Sequence, residues 1–204
     1  MEHVCLDLEG VLIPEIWAEV AEYTGEEQFK LTTQDLKDYS ELMDMRIDLV
    51  QSIGLSFLEI QSLVNKMEPF DGAREFIDWV RDNFQLTIVS DSFYELAWPL
   101  LRKLGTPSIN CHYLDIENNE LKGYTLRQLE NKKKVVQGLK DMKFKVFASG
   151  DSYNDIQMLQ EADLGVFFQA PKHIREEFKE IEGVESHEDL KNVLIENSSF
   201  IGRS

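Results

Sequence analysis

The amino-acid sequence predicts an α/β fold: a parallel sheet with crossover helices, broken after its first strand by a helical cap and carrying a small β-hairpin flap. Strand-like runs alternate with helical patterns along most of the chain, which implies parallel strands joined by helices. The stretch from about Pro14 to Pro69 has helical periodicity throughout and no good strand, so it reads as an insertion. The run "LDIENNELKGYTL" places Asn118 and Asn119 between two short strand-like segments, a hairpin signal.

The elements follow in order. Val4, Leu6 and Leu8 alternate with Cys5, Asp7 and Glu9, so residues 3–8 form the first strand, and Gly10 frees the backbone to turn after it. The insertion holds "IWAEVAEYTG", "QDLKDYSELMDMRIDLVQSIG" and "SFLEIQSLVNKM", each periodic as a helix. "DGAREFIDWVRDNF" then puts Ala73, Phe76, Ile77 and Val80 on one helical face. Residues 85–90 form the second strand. "FYELAWPLLRKLG" is a helix closed by Gly105, in which Pro99 must bend the helix or begin a new turn. Strands at 108–113, 144–148 and 164–168 are separated by the helices "NKKKVVQGLKDM" and "SYNDIQMLQEA". The tail from Asn197 onward is polar and reads as frayed. Residues 1–13 and 70–204 thus form one core and 14–69 a cap.

Composition narrows the function. Lys plus Arg number 21 against 38 Asp plus Glu, a net charge of −17. Such a surface repels nucleic acid and anionic membrane, and neither is expected as a partner. A locally positive pocket could still take an anionic substrate. Cys5 and Cys111 have no metal-ligand or redox spacing and read as reduced core residues of a cytoplasmic protein. Neither a signal peptide nor a transmembrane run of about 20 apolar residues is evident.

Ligands of open parallel sheets bind beyond the carboxyl ends of the strands. Asp7 and Glu9 follow the first strand, "SDSF" from Ser90 follows the second, and "GDSYND" from Gly150 follows the strand at 144–148. Lys132, Lys133 and Lys134 open the helix before that last strand. Each signal alone has a plain explanation: a turn carboxylate, a helix cap at Ser90 or Ser92, an acidic helix start at Asp151 or Asp155, a solvated lysine face. Together they supply a carboxylate nucleophile, a divalent-metal site, hydroxyl donors and a cation, the inventory of phosphoryl transfer.

The order of these signals resembles the haloacid dehalogenase-like phosphohydrolase superfamily, with its Rossmann-like core. "CLDLEGVL.PEIW", "SD.F.E" and "GDSYND" resemble, more narrowly, the phosphoserine phosphatase/homoserine phosphotransferase family, over essentially the whole chain. The resemblance implies that Asp7 is the nucleophile and Glu9 the general acid/base. It implies that Ser90 and the backbone of Asp91 hold phosphate oxygens, with Lys132 the family lysine because Val135 and Val136 follow it. Mg²⁺ would be bound by Asp7, Asp151 and the carbonyl of Glu9. Asn154 would touch the phosphate or the attacking water, and Asp155 would support the metal's water shell or orient Lys132. Glu15 and Arg46 match the cap residues that hold the amino and carboxylate groups of phosphoserine. From the residues alone, Arg46 equally fits a charged helix surface paired with its neighbours. Trp17, Phe29 and Met43 read as cap core rather than as substrate contacts.

The activity implied is Mg²⁺-dependent phosphoserine hydrolysis through an aspartyl-phosphate, with transfer to homoserine as an extension. Most phosphatases of the superfamily have Asp where this chain has Glu9, and a displaced carboxylate would slow hydrolysis and leave time for a second alcohol. The alternatives are a phosphatase of another small phosphometabolite, a non-enzymatic phospho-accepting switch, or a scaffold. A homodimer is compatible with each.

Overall fold

The computed structural model describes residues 1–33, 35, 36 and 38–201. Strand β1 (Glu2–Leu6) is buried along its whole length and lies at the centre of a seven-stranded sheet among the described residues. The strand order is β4-β3-β2-β1-β5-β6-β7. β1 pairs in parallel with β2 (Gln85–Phe93) on one side and β5 (Lys145–Gly150) on the other. The chain therefore leaves β1 in both directions across the sheet, and the crevice at such a switch point opens beyond the carboxyl end of β1. β3 (Ile109–Glu117) and β6 (Leu164–Phe168) extend the parallel pairing, and β4 (Glu120–Thr125) closes one edge antiparallel to β3. The other edge is β7 (Glu182–Val184).

Helices cover both faces. α4 (Ala73–Asn83), α5 (Tyr94–Lys103) and α9 (His187–Asn197) contribute to one apolar cluster with β1 and Phe147. α6 (Asn131–Asp141), α7 (Ile156–Glu161) and α8 (Lys172–Glu177) contribute to the other, with Cys5, Val146 and Phe167. α5 remains one helix through Pro99, and Gly105 follows it in the left-handed region at φ 81°. Cys5 and Cys111 are free and buried. No single helix among the described residues is long and apolar enough to cross a membrane.

The segment between β1 and α4 is helical, as its periodicity implies: α1 (Ile16–Thr24), a short 3₁₀ turn at Glu27–Lys30, α2 (Tyr39–Ser52) and α3 (Phe57–Lys66). α2 starts on an Asp38 cap and α3 on a capping box between Ser56 and Glu59. Trp17, Phe29 and Met43 are buried within it, and its apolar residues belong to the same cluster as α4 and α5. The two crossing segments meet where Phe70 N donates to Leu12 O at 2.9 Å.

β3 and β4 form the expected hairpin. Asn118 and Asn119 both have positive φ, 51° and 67°, the pattern of a two-residue type I′ turn. Its tip binds the helical segment. Asn119 O accepts Phe57 N at 2.9 Å, and Asn119 Oδ1 accepts Leu58 N at 2.8 Å, so one asparagine satisfies two open donors at the start of α3. Gln51 Nε2 donates to Leu121 O at 2.9 Å, tying α2 to β4.

Three features depart from the sequence expectation. β2 continues through "SDSF" to Phe93 instead of ending at Ser90. The chain beyond Phe168 adds a seventh strand and two helices. The polar tail is anchored at least through Ser199: Ser198 Oγ and Ser199 N donate to the Glu2 carboxylate at 2.6 and 2.7 Å. Residues 202–204 lie outside the described residues.

Candidate active site

Asp7 stands immediately beyond β1, where Asp7 N still bonds Ser149 O of β5 at 2.9 Å. Its carboxylate is held at both oxygens: Oδ1 accepts Leu8 N at 2.7 Å and Oδ2 accepts Lys132 Nζ at 2.8 Å. Lys132 is the buried member of the lysine run, at the start of α6. Its ammonium also donates to Asp155 Oδ1 at 2.7 Å. Burial alone would drive the Lys132 proton off, but Asp155 and Asp7 outweigh it and hold the ammonium firmly charged. Asp7 is pushed well up from the usual carboxylate range by burial and by Asp155, with Lys132 opposing.

Two glycines let the loops approach. Gly10 has φ 76°, and a Cβ there would lie 2.3 Å from the Asp151 carboxylate. A Cβ on Gly150 would lie 2.2 Å from Cγ of Asp155. The loop after β5 thus folds tightly under the loop after β1. Asp155 Oδ2 accepts Asp151 N and Ser152 N at 3.0 and 3.1 Å, which braces the "GDSYND" turn. Oxygens of Asp7, Asp151 and Asp155 lie within 4.8 Å of one another. Burial and Asp155 push the Asp151 carboxyl up to about 7.

Beside this cluster a cavity of about 290 Å³ runs between the sheet and the helical segment, and every residue to which the resemblance gives a catalytic, metal or substrate role lines it except Asp155. Ser90 is buried within β2, three residues before the strand ends at Phe93, and its Oγ accepts Ser92 N at 3.1 Å, which leaves its own proton to donate. Asn154 Nδ2 donates to Asp91 Oδ2 at 3.1 Å. The Asp91 backbone carbonyl accepts Tyr39 Oη at 2.6 Å. The Asp91 carboxylate, expected to contribute backbone alone, is therefore part of the network.

On the far wall, Glu9 Oε2 accepts Ile16 N, the first residue of α1, at 2.8 Å. Glu15 is solvent-exposed on the same wall, near Glu9 and Asp151. Arg46 is 9% exposed, so the surface-pair alternative does not hold. Its guanidinium lies over the Trp17 ring at 5.0 Å and donates to Leu31 O at 2.8 Å. Arg46 Nε is buried without a hydrogen-bond partner. Trp17 and Met43, expected as cap core, are buried but also wall the cavity.

Sequence reasoning missed Tyr39, His112 and Asn131. Asn131 Nδ2 donates to Ser90 O and Asn110 O, both at 3.2 Å, and so ties the start of α6 to β2 and β3. A lone polar residue in a strand or at a helix start carries no local pattern that could have flagged it.

Residues 1–163 match the model of the haloacid dehalogenase-like hydrolases. The chain is 45% identical over 200 residues to the phosphoserine phosphatase ThrH of Pseudomonas aeruginosa, covering 98% of each. It is 43% identical to a phosphoserine phosphatase of Pseudomonas syringae pv. tomato, covering 98% of this chain and 84% of that one. Among solved structures, a substrate-bound phosphoserine phosphatase superposes with a TM-score of 0.78 at 21% identity, over 95% of this chain and 96% of that one. At that identity the likeness is one of fold. Together the matched residues and these two relatives establish that the chain belongs to the haloacid dehalogenase-like hydrolase family.

Proposed function

We propose that the chain is a Mg²⁺-dependent phosphatase of O-phospho-L-serine that works through an aspartyl-phosphate on Asp7. The observation that carries this is the shared cavity. At one end it holds a buried carboxylate bonded to a lysine, and at the other a buried guanidinium, Arg46, and the carboxyl group of Glu15. Those ends suit a phosphate and an amino acid respectively. The relatives from both Pseudomonas species, named as phosphoserine phosphatases, support the choice.

The donor set fits a hard divalent cation, since it is all oxygen and carries more negative charge than Lys132 neutralises. Asp7, Asp151 and the Glu9 carbonyl would hold it. Both oxygens of Asp155 are already engaged, by Lys132 and by two backbone N–H groups, which favours an orienting role for Asp155. When bound, the ion would offset the repulsion between Asp7 and a phosphate dianion and stabilise charge on the phosphoryl oxygens.

The protein's own groups account for the rest. Lys132 holds Asp7 in place and balances charge on the equatorial oxygens. Asp7 attacks phosphorus, the bond from phosphorus to the serine oxygen breaks, and Glu9 gives that oxygen its proton. A water then attacks the aspartyl-phosphate, its proton passing to Glu9, which frees phosphate and restores Asp7. Arg46 holds the α-carboxylate and the Glu15 carboxylate the ammonium. Homoserine presents the same ammonium and carboxylate, and transfer to it is the extension of this reading.

The test is turnover with phosphoserine, phosphothreonine, phosphoethanolamine and an aryl phosphate, in Mg²⁺ and in excess chelator. Phosphoserine should lead and chelator should abolish turnover. Arg46→Ala should cost phosphoserine roughly ten- to a hundredfold in kcat/KM and the aryl phosphate far less, the worth of one charge-assisted pair. Equal losses on both, or full activity in chelator, would overturn the proposal.

A further inference from the structure

Beside the phosphate end of the cavity lies a pair of side chains, Asp91 and His112, that the mechanism above does not use. Asp91 follows Ser90, and its Oδ2 accepts Asn154 Nδ2 at 3.1 Å and lies 3.7 Å from Lys132 Nζ. Its Oδ1 lies 3.7 Å from Nε2 of His112 on β3. His112 is 3% exposed, and its Nδ1 accepts Arg127 N at 3.1 Å. A ring nitrogen that accepts carries no proton, so the neutral imidazole has its proton on Nε2, the atom facing Asp91. The rings of Tyr39 and Phe93 pack beside the imidazole at 6.0 and 6.3 Å and fix its plane.

A carboxylate beside a phosphate site repels the substrate unless something holds it aside. Asp91 faces His112 with one oxygen, at 3.7 Å, and accepts Asn154 on the other. One N–H of the Asn154 amide is thereby taken, and the other is left to donate elsewhere. We propose that His112 and Asp91 are positioning residues: His112 anchors the Asp91 carboxylate, which in turn fixes Asn154 and Lys132 for the phosphoryl group in the transition state. This rests on the phosphatase reading and deepens it. Preorganised donors act mainly on the barrier, so the loss should appear in kcat more than in KM.

Two substitutions separate this role from mere packing. His112→Asn keeps an acceptor near Nδ1 for Arg127 N but has no donor that reaches Asp91. His112→Gln places an amide N–H near the position of Nε2. With phosphoserine and Mg²⁺, His112→Asn should lower kcat roughly ten- to a hundredfold with KM within about threefold, the cost of losing a charge-assisted contact. His112→Gln should recover kcat to within about fivefold of wild type. In an Asp91→Ala background, His112→Asn should cost nothing further, because the two act in series. An unaffected His112→Asn, or the same loss in both backgrounds, would overturn the proposal. If His112→Asn does not fold, as judged by thermal unfolding, Asp91→Ala alone decides. It should show the same fall in kcat, and a wild-type rate would overturn the proposal. A wild-type enzyme inactive on phosphoserine would instead overturn the proposed function, a result distinct from an active enzyme indifferent to His112.

Discussion

Glu9 is longer by one methylene than the aspartate usual in the superfamily, and its bond to Ile16 N shows what the length does. The longer side chain reaches the start of α1, so the carboxylate proposed to move the proton is tied to the helical segment. Shortening it to aspartate should release that tie and draw the carboxylate back toward Asp7 and its attacking water. With phosphoserine and excess homoserine, the wild type should form some O-phosphohomoserine beside free phosphate, and Glu9→Asp should shift the ratio toward free phosphate. Phosphorus NMR of the products checks both, and free phosphate alone from the wild type would defeat the transfer reading. Gly10 makes a sharper case. Alanine there would combine a left-handed φ with a Cβ 2.3 Å from the Asp151 carboxylate. Gly10→Ala should cost about 1–2 kcal/mol of stability for the backbone strain. It should also raise the Mg²⁺ concentration needed for half-maximal turnover, since Asp151 must move. Denaturant unfolding and a Mg²⁺ titration of turnover measure the two effects separately.

Strands β1, β2, β5 and β6 were legible because each is a short apolar run bounded by turn residues, and the strand-end acids stood out against that apolar background. Lys132 was picked from three adjacent lysines through the family resemblance, which aligns Val135 and Val136 with the apolar pair after the family lysine, and it is the one that is buried. The hairpin was legible from Asn118 and Asn119, whose positive φ values need residues that tolerate them. β7 was not, because it has three residues and only Val184 is buried, too little for a periodic pattern. Arg46 remained ambiguous because a helical spacing cannot show whether a charged residue faces solvent or a pocket. Tyr39 and His112 act across elements separated by tens of residues, and no local pattern records that.

The whole molecule should answer to pH through its central strand. His3 on β1 is buried beside Thr87 and Phe144, and burial lowers it from its ordinary value near 6.5 to about 4. Above pH 6.5 the ring is neutral in both the folded and unfolded chain and has no effect. As pH falls from 6.5 toward 4, the unfolded chain takes up a proton that the fold rejects, so stability drops, by about 3 kcal/mol in all. Urea unfolding across this range should show the fall, and His3→Asn should flatten it. A slope unchanged by the substitution would place the acid sensitivity elsewhere, in His187, which burial also lowers, or among the 38 acidic residues.

A two-residue hairpin turn is ordinarily where a chain accepts an epitope tag, a reporter or new termini at little cost. Here that site is closed to engineering, because the Asn119 carbonyl and side chain complete the start of α3. A short Gly-Ser insertion between Asn118 and Asn119 should lower stability and phosphoserine turnover together. The same insertion after Lys143, in the turn between α6 and β5 on the side opposite the catalytic strand ends, should leave turnover intact. Equal tolerance at both places would mean that the hairpin tip is an ordinary loop after all.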